Sequence, residues 1–150
     1  MREVRTIRDL QISGGDLIAS GRGFATVTGA EYVRQRVATA LAEPYGSDPF
    51  HPEWGSALQG YLGSPQAAGT QHLVSSEVSR VLAALIAAQQ VIIASGTLAG
   101  SRSPLAAADV IASVNGVTAS PGARPDVIAV SVSLTTQGGQ SVQVSRTVSP

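Results

Sequence analysis

The chain has 150 residues, of which 43% are hydrophobic and 13% charged. This composition is too apolar for a disordered protein, and it predicts a single folded domain over residues 1–150. Ten acidic residues balance ten basic ones, all of them arginine, so the zero net charge argues against a nucleic-acid partner, which would need clustered cations. The absence of cysteine excludes a disulfide framework and a thiolate metal site.

Export, membrane anchoring and cofactor binding find no support in sequence motifs. The N-terminal segment lacks the apolar core of a signal peptide, and the longest apolar run, Val81 to Ala88, is far shorter than the roughly 20 residues that span a bilayer. His51 and His72 lack the paired spacing of a metal site. We therefore expect no membrane partner, no metal and no cofactor.

In chain order, the first predicted elements are two short strands at residues 10–12 and 24–27, beside glycine-rich turns. A helix follows over residues 28–43. Its start is indicated by the capping-box spacing of Thr28 and Glu31, and its end by Pro44. Apolar residues recur every four positions and predict one buried stripe. The stripe consists of Val33, Val37 and Leu41.

A proline-punctuated loop comes next, in which Pro49 and Pro52 should hold Phe50 and Trp54 at a fixed angle. Gly55 should let the backbone pass closely beneath the indole. Trp54 is expected to pack on the stripe of the preceding helix, with a role in partner binding as the alternative.

The longest helix is predicted over residues 71–93, followed by a Gly/Ser-rich loop at residues 95–103 and a brief helical turn at Ser103-Pro104. Its apolar face is predicted to comprise Val74, Val78, Val81, Leu82, Leu85 and Ile86.

Three strands are predicted in the C-terminal part. Val110 to Ala119 forms one, interrupted by a bulge or turn at Asn115-Gly116. Residues 128–135 alternate apolar and polar side chains, and a strand over residues 142–145 completes a hairpin across the glycines of residues 136–140. Small polar residues on one face of the last strand could leave its backbone accessible to another chain. They are Ser141, Ser145, Thr147 and Ser149.

These elements predict an α+β fold, with a small mixed sheet of N-terminal strands and a C-terminal antiparallel hairpin packed on two to three helices. A series of motifs occurs in order along the first sixty residues: Asp16-Leu17, the run from Gly23 to Gly29, Glu31, Val33-Arg34-Gln35, Pro44, Gly46, the run from Pro52 to Ser56, and Leu58. This series and the order of the elements resemble the lysozyme-like baseplate wedge family of contractile phage tails, which also includes a baseplate protein of type VI secretion systems. Ser47-Asp48 departs from the Glu-Arg pair that many members carry, so the arginine contact of those members is not expected here.

The resemblance implies a structural baseplate component, not an enzyme, that links wedge subunits to the first ring of tail sheath protein and helps to trigger or nucleate the sheath. It also implies about six copies around the tail axis, in a phage tail or injection-machine baseplate assembled in the bacterial cytoplasm. Candidate wedge-interaction residues are Glu43, Pro44, Pro52, Trp54 and Gly55. Candidate sheath-interaction residues are Ile128, Val130, Val132, Val142, Val144 and Arg146.

Two alternatives stay open at this point. A lysozyme-like glycoside hydrolase acting on peptidoglycan would use a pair of carboxylates, for which Glu53 as general acid and Asp48 as base or nucleophile are the clustered candidates. The other alternative is a small adaptor in an unrelated assembly.

Overall fold

A computed structural model describes residues 9–61, 69–98 and 105–148. Within these residues, helix α1 (Gly29–Ala42) and helix α2 (Thr70–Leu98) follow a group of short N-terminal strands in the chain and precede a three-stranded antiparallel C-terminal sheet. The predicted α+β class is confirmed. The strands form separate N-terminal ladders and one antiparallel sheet instead of one mixed sheet.

The N-terminal segment folds into three two-stranded arms that meet at one point. The strands are β1 (Asp9–Leu10), β2 (Ile12–Ser13), β3 (Asp16–Leu17), β4 (Ala19–Ser20), β5 (Gly23–Phe24) and β6 (Thr26–Val27). β1 pairs with β6, β2 with β3, and β4 with β5. At the junction the amides form a closed ring of hydrogen bonds, from Gln11 to Ala25 at 2.8 Å, from Ala25 to Ile18 at 2.8 Å and from Ile18 to Gln11 at 3.1 Å. Positive-φ glycines let the chain reverse within two of the arms, Gly14 and Gly15 between β2 and β3 and Gly21 between β4 and β5.

Helix α1 begins differently from the sequence prediction. Thr28 occupies the N-cap position, but its side chain makes no capping hydrogen bond, so the predicted capping box is wrong. The carboxylate of Asp109, 80 residues away, accepts a 2.7 Å hydrogen bond from the backbone N–H of Gly29. Its other oxygen accepts a 3.2 Å bond from the N–H of Ala106. A fully buried carboxylate therefore satisfies the helix N-terminus, where its charge also suits the helix dipole.

The C-terminal sheet has the order β7 (Ile111–Pro121), β8 (Ile128–Thr136) and β9 (Ser141–Val148). The β8–β9 connection is the predicted hairpin: Gly139 has a φ of +79°, and the Thr136 N–H donates to the Gln140 carbonyl at 2.9 Å. The predicted irregularity at Asn115 is confirmed, since the register shifts between Val114 and Gly116.

Both helices pack on one face of this sheet, α1 mainly over β9 and α2 mainly over β7. The stripe of α1 is buried as predicted, as are the first four residues of the α2 face, whereas Leu85 and Ile86 are half-buried. Gln89 of α2 fixes the start of β7, donating to the Asp109 carbonyl and accepting from the Ile111 N–H, both at 3.0 Å. The sheet face toward the helices consists of Ile128, Val130, Val132, Leu134, Val142, Val144 and Val148, all buried.

Helix α2 is longer than predicted. It continues to Leu98, so the first residues of the predicted loop at 95–103 are helical, and the turn predicted at Ser103-Pro104 lies outside the described residues. By length and composition, Thr70–Gly96 is also apolar enough to cross a membrane, with a mean hydropathy of 1.6. One face of the helix packs into the core, but only 17% of the apolar stretch is buried, so the expectation of no membrane partner stays a prediction.

Candidate protein-interaction surfaces

The loop after α1 is closed at its base by backbone hydrogen bonds. The Ser56 N–H donates to the Glu43 carbonyl at 2.8 Å, and the Tyr45 N–H donates to the Ser56 carbonyl at 3.0 Å. The Gly46 N–H donates to the Trp54 carbonyl at 3.1 Å, and the buried hydroxyl of Ser56 donates to the Leu41 carbonyl at 2.8 Å. The two ends of the loop are therefore held side by side, and residues 47–53 project from a fixed base.

Gly55 is required at this base for a reason other than the one predicted. Its φ is +90°, and a Cβ at this position would lie 2.4 Å from the Pro44 carbonyl oxygen and 2.8 Å from that of Glu43. Glycine therefore permits the close approach of the two ends of the loop to each other, not a passage beneath the indole.

Two charged residues of α2 fasten the loop to the helical layer. Glu77 accepts hydrogen bonds from Arg80 at 2.7 and 2.8 Å and from the backbone N–H of Ala57 at 2.8 Å. Arg80 also donates to the Gly55 carbonyl at 2.8 Å, and its guanidinium lies over the ring of Tyr45, 4.9 Å from the centroid. The Arg80 hydrogen bond is the largest cause that lowers the pKa of Glu77, and the Ala57 amide adds to it.

At the tip of the loop, Asp48 organises the turn. One carboxylate oxygen accepts from the Phe50 N–H at 2.8 Å, and the other lies 3.0 Å from Nδ1 of His51. These bonds, the Phe50 amide first, hold the pKa of Asp48 below its usual value. The His51 ring stacks on Trp54 with centroids 4.6 Å apart. His51 is thus a surface histidine with structural partners.

The loop carries the five candidate wedge-interaction residues in very different environments. Pro44 and Pro52 are exposed, Glu43 and Trp54 are half-buried, and Gly55 is buried. Gly55 therefore belongs to the base of the loop and offers no side chain to a partner. Phe50, which the sequence analysis left out of this set, is 88% exposed.

Trp54 does not join the core cluster, so its predicted packing on the α1 stripe is wrong. The indole lies between His51 and the guanidinium of Arg36, which is 5.9 Å from the ring centroid. It forms one wall of a groove of about 420 Å³, and the opposite wall includes Leu85, Ala88 and Ile92 of α2.

The carboxylates considered for hydrolysis sit on the same loop. Both oxygens of Asp48 hold the turn, and Glu53 is exposed beside the Trp54 groove. The described residues contain no group of His, Asp and Glu side chains that could hold a metal ion. These placements favour a structural use of Asp48.

The edge of β9 is the best-formed surface for backbone pairing. The Thr136–Gln140 hydrogen bond determines which backbone N–H and C=O groups of β9 point at β8. Those of the even-numbered residues point at β8, and those of the odd-numbered residues point outward. The outward residues are Ser141, Gln143, Ser145 and Thr147, whose side chains are exposed. The register along Ser141–Val148 is unbroken.

The six candidate sheath-interaction residues differ in how accessible this geometry leaves them. Ile128, Val130 and Val132 are buried and lie on β8, which is paired on both edges and cannot accept another strand. Val142 and Val144 are also buried, and their backbone groups bond to β8. Among the six candidates, Arg146 alone has a side chain that is not fully buried.

The opposite edge, β7, is interrupted. Register shifts fall between Ile111 and Ser113 and between Val114 and Gly116. Side-chain hydrogen bonds stabilise the second shift, from Ser113 to Asn115 at 3.0 Å and from Asn115 to Thr135 at 2.7 Å. At the far end stands Pro121, which has no N–H to offer.

A second groove, the Arg146 groove, runs beside β9. It has a volume of about 440 Å³ and lies between the outer side of α1, the β2–β3 hairpin and Arg146. Its lining includes Ile12, Glu31, Arg34, Ala38, Ala42 and Arg146. Glu31 and Arg34 pair with each other at 3.1 Å. Among the described residues, Arg146 has no ion-pair partner.

The N-terminal arms add an exposed apolar surface that the sequence analysis did not anticipate. Leu10, Ile12, Leu17 and Phe24 are each more than 40% exposed. The two-residue strands are too short to bury these side chains against one another.

Comparison with known proteins gives no relative for this chain: no family model, no curated protein and no solved structure matches it.

Proposed function

We propose that this chain is a structural wedge component of the baseplate in a contractile tail or related injection machine. It binds neighbouring wedge proteins through the loop at residues 43–55 and joins the first sheath ring through β9, in about six copies around the tail axis. Assembly takes place in the bacterial cytoplasm. The motif resemblance within residues 16–58 suggests this role.

The observation that carries the proposal is the edge of β9. An unbroken edge strand with outward N–H and C=O groups is a template for another strand, and folded proteins usually block such edges with bulges, prolines or charges. The rigid base of the loop supports the second half of the proposal, because it presents Phe50 and Pro52 to a neighbour with little loss of conformational entropy on binding.

A proline in the outward register of β9 tests this function. Ser145→Pro removes an outward N–H without touching the pairing with β8, whereas truncation of β9 would also remove buried valines of the core. We expect the variant to fold and to lose binding to sheath protein by about thirtyfold or more, as for the loss of some 2 kcal/mol. The measurement is co-assembly of sheath with purified baseplates.

Two controls accompany it. Ser145→Thr keeps the amide and should bind normally. Ala119→Pro removes an outward N–H from β7 instead and should also leave sheath binding intact. Normal sheath assembly on a folded Ser145→Pro protein would contradict the proposed role of β9.

A further inference from the structure

A strand added to β9 would have fixed contacts with the rest of this chain. In antiparallel pairing it bonds to the outward residues of β9, such as Gln143 and Ser145. Its residues opposite Val144 and Arg146 then form non-hydrogen-bonded pairs, in which facing side chains are closest, with Cβ atoms about 4.5–5.5 Å apart. These residues share the face of Val144 and Arg146, which is the face toward α1.

The side chain opposite Arg146 would enter the Arg146 groove, because Arg146 and one side of α1 both line that groove. Ala38 and Ala42, which line this groove together with Arg146, are small and leave space for incoming side chains. Val144 and Val142 favour apolar residues directly opposite them in an added strand. Glu31 is already paired with Arg34 at 3.1 Å, so the carboxylate in this groove is engaged.

An added strand would cover Arg146, which is already half-buried. A covered cation without a partner is costly, whereas a paired and hydrogen-bonded one is tolerated. The incoming strand must therefore supply the anion. A guanidinium favours a carboxylate, which it can bind with two parallel hydrogen bonds.

We propose that the β9 edge selects an extended segment with an Asp or Glu opposite Arg146 and apolar residues two and four positions later, opposite Val144 and Val142. The pattern is acid-x-apolar-x-apolar, read along a strand antiparallel to β9. The inference rests on strand addition at β9, as in the proposed function, and specifies the chemistry of the segment that adds.

Selection from a displayed library of random ten-residue segments tests this pattern. The full-length chain serves as bait, alongside its Arg146→Glu, Arg146→Gln and Ser145→Pro variants, each checked for native melting. We expect the native chain to enrich the acid-x-apolar-x-apolar pattern. Arg146→Glu should enrich Lys or Arg at the acidic position, and Arg146→Gln should show no charge preference there. A selected peptide should bind the native chain about tenfold more weakly when its acid is changed to the matching amide.

The possible results distinguish strand addition at β9 from the preference for an acidic residue opposite Arg146. Segments that depend on an intact Ser145 but show no preference for acid, and no reversal with Arg146→Glu, would overturn the inference and leave strand addition standing. Segments that bind Ser145→Pro as well as the native chain, or a selection without enrichment, would contradict strand addition itself and the inference with it.

Discussion

The two edges of the C-terminal sheet differ in the features that decide whether another strand can join them. β7 has two register shifts within eleven residues and ends in Pro121, whereas β9 keeps one register over eight residues and has neither a shift nor a proline. The polarity of their exposed faces does not distinguish them, because both carry small polar side chains.

The difference bears on unwanted strand pairing. An isolated protein needs both edges blunted, since an open edge leads to aggregation or mispairing. One blunted edge beside one regular edge is the arrangement expected when the regular edge is paired in the working assembly. The following changes should remove or sharpen that contrast, from the largest expected effect to the smallest.

Replacing Asp109 should have the largest effect, because this buried carboxylate ties the start of α1, which covers β9, to the segment that leads into β7. Asp109→Ala leaves two backbone N–H groups without their acceptors and should lower the free energy of unfolding by about 3 kcal/mol. Asp109→Asn keeps one acceptor oxygen and should cost about half as much. Urea unfolding measures both. Equal stability of the native protein and the Asp109→Ala variant would show that α1 does not depend on this long-range cap.

Weakening the loop anchor at Glu77 should leave both sheet edges unchanged. Glu77→Gln loses charge-assisted hydrogen bonds to Arg80 and should lower the free energy of unfolding by about 1.5 kcal/mol near pH 7. Because Arg80 and the Ala57 amide lower the folded-state pKa of Glu77 below 4.5, its contribution is present above that pH and is lost as the pH falls through the folded-state pKa.

Stability curves from pH 7 to pH 3 check this prediction. The native protein and the Glu77→Gln variant should converge on acidification, and sheath binding at neutral pH should be the same for both. A constant difference across the pH range would show that ionisation of Glu77 is not the cause. Reduced sheath binding by the folded variant would show that the loop and the β9 edge are coupled.

Deleting Asn115 should have the smallest effect on stability and should make the two edges more alike. Val114 pairs with Leu134 and Gly116 with Ser133, so Asn115 is the extra residue and its removal leaves the pairs on either side in register. The loss of its 2.7 Å bond to Thr135 should cost about 1 kcal/mol. The longer regular edge should raise self-association, measured by sedimentation. Asn115→Ser keeps the bulge and should not change self-association. A deletion variant that self-associates no more than the native chain would show that the bulge does not protect β7.

Local patterns in the sequence were sufficient for much of the fold. Alternation placed Ile128 and Val130 on the buried face of β8, four-residue spacing placed Val33 in the core, and Asn115-Gly116 marked the bulge. Each of these depends on neighbours within a few positions, where period and turn chemistry are informative.

The features that the sequence did not reveal depend on contacts between distant residues. The N–H of Gly29 at the start of α1 is bound by Asp109, which lies 80 residues away in the sequence. The local Thr-x-x-Glu spacing predicts a capping box and gives no sign of this distant carboxylate. The candidate sheath residues are the most strand-like residues of the sequence, and five of the six are buried. An edge is defined by strand order, and a single strand pattern does not contain strand order. The small polar residues that alternate with the buried valines of β9, such as Ser141 and Ser145, are the signal that the sequence offers for an accessible strand.

The most direct test of the central claim is an image of the assembled baseplate with sheath attached, at a resolution that separates strands. The account predicts a strand of another protein hydrogen-bonded to the outward backbone groups of Ser141, Gln143, Ser145 and Thr147. A β9 edge that faces solvent in the complete particle, or the absence of this chain from that particle, would contradict it.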